Sequence, residues 1–171
     1  TPVLCTACKT IDEAFKEAAE FALNHHYVSY GDLVVLTAGS PFWVSGTTNT
    51  ILVENIGNVL VRGHGGAGER LHGNITLVPS SDSKQPYEVR NQIIVISTCD
   101  ESYVPLIREA SAIVLQNHID DHESEKYAYL ITKTLQKPLI TRADGAFRIL
   151  REGQLVSLDP KRALVYKGVV I

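Results

Sequence analysis

Apolar and polar positions recur along this chain at two periods, and the switches between them lay out its elements. Ile11, Ala14, Phe15, Ala18, Phe21 and Ala22 return at helical spacing, while Lys16, Glu17 and Glu20 stay polar. That pattern predicts a helix with one apolar stripe. Thr10-Ile-Asp-Glu13 supplies its start as a capping box, with the Thr side chain on a backbone N–H and Glu13 reaching back. The helix is expected to end between Asn24 and Tyr27. Gly31-Asp32 then turns the chain into Leu33–Thr37, an apolar run without alternation, as in a strand buried on both faces. Ala38 to Thr48 holds two Gly, two Ser, two Thr and one Pro and reads as a loop. Thr50–Val53 is a second strand. Helix, strand, loop, strand is half of a parallel α/β sheet, and a two-stranded piece cannot cover both of its own faces.

Beyond Gly57 the punctuation changes. Gly63-His-Gly-Gly-Ala-Gly68 lacks the Gly-Lys-Ser/Thr ending of a phosphate loop and reads as a flexible linker or turn. Short strands follow around Ile75–Val78 and Ile93–Ser97. Then elements alternate: a helix over Tyr103–Ala110, a strand at Ala112–Leu115, a helix over Glu123–Gln136 and a strand at Pro138–Thr141. A helix over Ala143–Leu150 and strands at Gln154–Leu158 and Leu164–Lys167 complete the chain. The expectation is an α/β protein of two modules, residues 1–57 and 58–171.

Charge sharpens that division. Residues 1–57 hold two lysines, Lys9 and Lys16, against six acids, a net of −4; residues 58–171 hold fourteen basic and thirteen acidic residues, a net of +1. The overall −3 argues against a nucleic-acid partner. No apolar run approaches the roughly 18 residues of a membrane span, and no signal peptide opens the chain. Three cysteines, an odd number, suit a reducing cytoplasm better than a disulfide scaffold. The chain has no Met and opens on Thr1-Pro2, which reads as a piece of a longer protein.

Chemistry-bearing clusters are few. Cys5-Thr-Ala-Cys8 is a CxxC, but a zinc site needs a second pair and only Cys99 remains. Adjacent core cysteines are the plainer reading. His25-His26 suits a helix C-terminus and has no third ligand in view. His118, Asp120, Asp121 and His122 suggest at most a surface site for a divalent ion. In the Ala38–Thr48 loop, Gly39, Ser45, Gly46, Thr47 and Thr48 offer hydroxyls and backbone N–H groups to phosphate oxygens, but no Lys or Arg lies between Lys16 and Arg62.

Several of these words are unusual, and their order resembles pyruvate kinase. Thr1-Pro2-Val3 is similar to the exit of a strand in that family's C-terminal α/β domain. Gly31-Asp-Leu-Val-Val-Leu-Thr37 resembles its penultimate strand, and Gly46-Thr-Thr-Asn-Thr50 resembles the opening of its last strand. Residues 58–171 are similar to the phosphoenolpyruvate-utiliser swivelling domain, of β/β/α type, that some bacterial pyruvate kinases carry as an extension. The ending Arg151-Glu-Gly-Gln-Leu-Val-Ser-Leu-Asp-Pro-Lys-Arg-Ala-Leu-Val-Tyr-Lys-Gly168 and the Ser102–Ala112 segment carry that likeness.

The resemblance implies a glycolytic parent enzyme that moves a phosphoryl group from phosphoenolpyruvate to ADP with Mg²⁺ and K⁺. Its catalytic barrel lies upstream, its allosteric domains pair within a tetramer, and no catalytic or metal-binding residue falls in this stretch. The resemblance also implies that Ser40, Trp43, Ser45, Gly46, Thr47 and Thr48 close over a sugar phosphate or nucleotide effector; a plain strand connector is the other reading of that loop. In phosphotransfer enzymes the swivelling domain bears a phosphorylated His eleven residues before a strand-opening Pro. Here the Pro is Pro138 and the position is Tyr127. His122 is the alternative acceptor, but Asp120, Asp121, Glu123 and Glu125 surround it and would repel a phosphoryl group. The domain is therefore expected to support or couple the enzyme rather than carry phosphate. A stand-alone phosphocarrier using His122, or an interaction module without ligand, remain the alternatives.

Overall fold

Thr10 opens the first helix, α1 (Ile11–Asn24), by accepting a hydrogen bond from the Glu13 N–H at 3.2 Å. The reciprocal arm of the capping box lands one residue earlier than the motif implies, with Glu13 Oε2 accepting from Lys9 N–H at 2.8 Å. The computed structural model describes residues 4, 8–39, 46 and 48–170 and divides into two compact units, Thr1–Gly57 and Asn58–Ile171.

In the first unit, α1 accompanies the strands β1 (Leu33–Ala38) and β2 (Thr50–Asn55). The strands run antiparallel, with Val35 opposite Val53 and Thr37 opposite Ile51, where the sequence predicts a piece of parallel sheet. The connection explains the difference. A parallel pair needs a crossover of about a dozen residues or more, and eleven separate Ala38 from Thr50. β1 is also not buried on both faces: its residues alternate between exposed and half-buried. Leu33, Val35, Ile51 and Val53 are all exposed, and no residue of α1 is fully buried.

In the second unit the chain forms β3 (Val59–Arg62), β4 (Gly65–Ala67), β5 (Leu71–Leu77), β6 (Ile93–Ile96), α2 (Val104–Glu109), β7 (Ala112–Leu115), α3 (His122–Leu135), β8 (Leu139–Thr141), α4 (Ala146–Ile149), β9 (Leu155–Asp159) and β10 (Leu164–Lys167). Their order in the sheet is β3-β10-β9-β5-β6-β7-β8-β4. β5 to β8 are parallel and the remaining pairs antiparallel. β3 and β4 are successive parts of one extended segment. Gly63 N–H donates to Ala163 O at 2.7 Å on one side and His64 N–H donates to Thr141 O at 3.0 Å on the other. The β3–β4 segment thus joins the two ends of the strand order and closes the sheet on itself, which shortens the unpaired edge it presents.

The segment Gly63–Gly68 is this seam, not a flexible linker. A Cβ on Gly63 would stand 2.4 Å from Ile140 Cγ2, and one on Gly66 would stand 2.4 Å from Pro160 O. Only glycine lets the backbones approach that closely.

Alternation along the strands then builds two cores. Ile75, Ile93, Val95, Ala112, Val114, Ile140, Val156, Leu158 and Val165 fill the inside of the closed sheet. Ile94, Ile96, Ile113, Leu115 and Leu139 face outward against Leu106 and Ile107 of α2 and Ala128 of α3.

Candidate functional site

The loop between β1 and β2 is the first candidate. Asn49 N–H donates to Ala38 O at 3.2 Å and closes the hairpin. Gly46 is exposed with φ of 86°, and a Cβ added there would meet no described atom within 4 Å. Thr48 is exposed as well. Ser40, Trp43, Ser45 and Thr47 lie outside the described residues, as does Cys5.

The second candidate is the C-terminal end of the parallel strands β5 to β8. The connections after β6, β7 and β8 are held by buried or half-buried polar side chains. After β6, Cys99 N–H donates to Ser124 Oγ at 3.0 Å. Burial pushes the Cys99 thiol up to about 12, with Asp100 and Asp121 adding to the effect; this is an inert core cysteine rather than a nucleophile. After β7, Gln116 Oε1 accepts from Phe147 N–H at 2.9 Å. Asn117 is fully buried: its Oδ1 accepts from Arg142 N–H at 2.9 Å, and its Nδ2 donates to Asp121 O at 3.1 Å and to His118 O at 3.3 Å. After β8, Arg142 has a positive φ of 48°.

α3 projects onto this end. Asp121 caps it by accepting from Ser124 N–H at 3.1 Å. His122 is its first residue and is exposed, next to Asp121 and Glu123. Tyr127 lies in the second turn, half-buried; burial first, then Glu101, Cys99 and Asp100, raise its phenol above the ordinary range. A phenol kept neutral beside acids and facing no described cation is not a phosphoryl acceptor of the histidine type. Glu125 accepts from Thr141 Oγ1 at 3.3 Å and lies 3.5 Å from Arg142 Nε. Sequence reasoning missed Asn117, Thr141 and Arg142 altogether, and it read Glu125 only as one of several charges near His122.

His118 Nδ1 lies 3.3 Å from Asp120 Oδ2 on the surface, and among the described residues no group of three or more His, Cys, Asp or Glu is arranged to hold a metal ion. His25 caps α1, stacking on Phe21 at 4.0 Å with its ring nitrogen 2.9 Å from Phe21 O. Among the described residues no helix is long and apolar enough to cross a membrane.

Residues 1–54 match the family described as pyruvate kinase, alpha/beta domain. Nearly the whole chain is similar to curated pyruvate kinases. It is 31% identical to that of Lactobacillus delbrueckii subsp. bulgaricus over 99% of the chain and 28% of the relative. It is 25% identical to that of Sporosarcina psychrophila over 98% and 28%, and 28% identical to that of Geobacillus stearothermophilus over 93% and 26%. The chain thus spans little more than a quarter of the length of these relatives. Among solved structures, aconitase X of Thermococcus kodakaraensis in its holo-form covers 65% of this chain and 95% of its own, at 14% identity and a TM-score of 0.43.

Proposed function

We propose that this chain, which matches the C-terminal part of bacterial pyruvate kinases, serves such an enzyme in regulation and assembly rather than in its chemical step. The observation that carries the reading is the continuous match: one relative aligns over 99% of the chain but contributes only 28% of its own length. On this reading the parent transfers the phosphoryl group of phosphoenolpyruvate to ADP, giving pyruvate and ATP in the cytoplasm with Mg²⁺ and K⁺. The groups that do so lie outside these residues.

Residues 1–57 would be the C-terminal half of the allosteric α/β domain. The Ser40–Thr48 loop would close over a sugar phosphate or nucleotide, holding phosphate oxygens with hydroxyls and backbone N–H groups. Residues 58–171 would be a swivelling-type domain that couples or stabilises the enzyme and has lost the carrier histidine. β2 has a second side without a neighbouring strand among the described residues, and such an edge suits pairing between subunits of a tetramer.

The test removes residues 58–171 from the full-length enzyme. The expected outcome is a retained turnover number with an altered effector response or oligomeric state. Loss of turnover in an intact tetramer with an unchanged effector response would overturn the reading. A finer probe is Thr50→Pro, which is expected to weaken assembly of the full enzyme; an unchanged oligomer in a sedimentation run would sink the role given to β2.

A further inference from the structure

Arg142 is the first residue after β8, at the end of the parallel strands, with φ of 48°. A non-glycine side chain stays in that left-handed region only where its surroundings hold it there. Asn117, 1% exposed, does the holding through its Oδ1. The side chain that this strained backbone presents is poorly satisfied. Arg142 Nε lies 3.5 Å from Glu125 Oε2, with the two side chains 30% and 18% exposed. The geometry makes no hydrogen bond, so the buried Nε–H has no acceptor among the described residues. The other carboxylate oxygen, Glu125 Oε1, accepts from the buried Thr141 hydroxyl at 3.3 Å, again a long contact.

Three features therefore converge on one spot. A strained backbone presents a guanidinium, a buried hydroxyl stands beside it, and a carboxylate faces both, accepting one long hydrogen bond from the hydroxyl and none from the guanidinium Nε–H. Arginine forks fit planar or tetrahedral oxyanions at about 2.7–2.9 Å when geometry allows. Glu125 reaches from the first turn of α3 and meets them only at 3.3 and 3.5 Å.

We propose that the C-terminal end of β8 is an oxyanion-binding site held shut by the chain's own carboxylate. Glu125 occupies the position where an external phosphate or carboxylate group would accept from Arg142 and Thr141. An internal competitor lowers the apparent affinity for an external one by the fraction of time the site is open. Removing the Glu125 charge therefore exposes binding that the native chain conceals. Nothing here depends on phosphoryl transfer, so the test separates from that of the proposed function.

The experiment titrates the isotopically labelled 171-residue chain with inorganic phosphate and, separately, with acetate, following the Arg142 Nε–H and the Thr141–Ala143 amides by NMR. Glu125→Ala and the isosteric Glu125→Gln are each expected to bind with saturation at least about tenfold more tightly than the native chain. The double variant Glu125→Ala, Arg142→Gly is expected to lose that gain. Tighter phosphate than acetate assigns the site to phosphoryl groups; the reverse assigns it to carboxylates. The proposal is overturned if neither Glu125 variant binds either anion, or if the double variant binds as tightly as the single one. Glu125→Gln keeps the side chain's shape and decides the matter should Glu125→Ala fail to fold.

Discussion

The two units are built from the same kinds of apolar runs yet end in opposite situations. In the first, α1 lies with no fully buried residue and the β1–β2 pair keeps Leu33, Val35, Ile51 and Val53 exposed. In the second, shorter apolar runs, Ile93–Ile96 and Ala112–Leu115, are buried at every position. The difference is closure. A strand buries both faces only when neighbours flank it and layers cover it, and the second unit supplies both within itself by joining β3–β4 to β10 and β8. Hydrophobicity of a run sets what burial would be worth, at about 25 cal/mol per Å²; topology decides whether that burial is realised.

The largest test of this contrast is a cavity in the second unit. Ile113→Ala removes a fully buried side chain from between β7 and the helices. It should cost about 2–5 kcal/mol, read as a fall in the urea midpoint followed through unit-two amides. A loss below about 1 kcal/mol would mean that this layer is not packed as described. Next in size is the seam. Gly66→Ala places a Cβ against two backbone oxygens, Pro160 O at 2.4 Å and Leu139 O at 2.8 Å. Neither neighbour can rotate away, so a cost of about 1–3 kcal/mol is expected from overpacking. Hydrogen exchange should show the loss first at β4 and β8, and uniform loss elsewhere would argue against closure at this point.

A pH dependence sharpens the same comparison. Burial raises the Cys99 thiol to about 12 in the folded chain, against an ordinary value of 9.0. Above that ordinary value the unfolded chain binds fewer protons than the folded one, so stability falls as pH rises toward about 12. The slope approaches about 1.4 kcal/mol per pH unit. Cys99→Ala should flatten it in unit-two unfolding. A slope unchanged by that substitution would assign the alkaline loss to another group.

These residues also show where sequence reading succeeds and stops. The Thr10 cap and the stripe of α1 are local, so the chain displays them within a single turn. Leu33–Ala38, Ala112–Leu115 and Leu139–Thr141 announce themselves as apolar runs between turn residues. The seam does not. Glycine carries no side-chain period, and Gly65–Ala67 is a strand only because Leu139–Thr141, more than seventy residues later, offers it a ladder. The polar cluster at the end of β8 is hidden for the same reason. Asn117 meets Arg142 twenty-five residues on, and Glu125 meets Thr141 sixteen residues on, through the packing of α3 beside β8. No motif spacing encodes such a meeting. Conversely, the apolar run of β1 led to an expectation of burial on both faces, because composition measures a residue's preference and not the number of neighbours available to it.

The smallest predicted effect bears most directly on the first unit. Val35 is 63% exposed and stands opposite Val53. Val35→Thr keeps the β-branched shape and adds one hydroxyl, so in this chain the hydroxyl meets water and stability should move by no more than about 0.5 kcal/mol. In a full-length enzyme of the kind this chain matches, a layer lying over β1 and β2 would bury that hydroxyl without a partner, at a cost of about 1–3 kcal/mol. Urea midpoints of the two proteins, each with and without the substitution, measure the difference directly. A near-zero change in both would leave the β1–β2 face open in the longer protein. A cost of 1 kcal/mol or more already in the 171-residue chain would mean that something covers Val35 there, and the contrast between the two units would fail at one of the apolar residues that carry it.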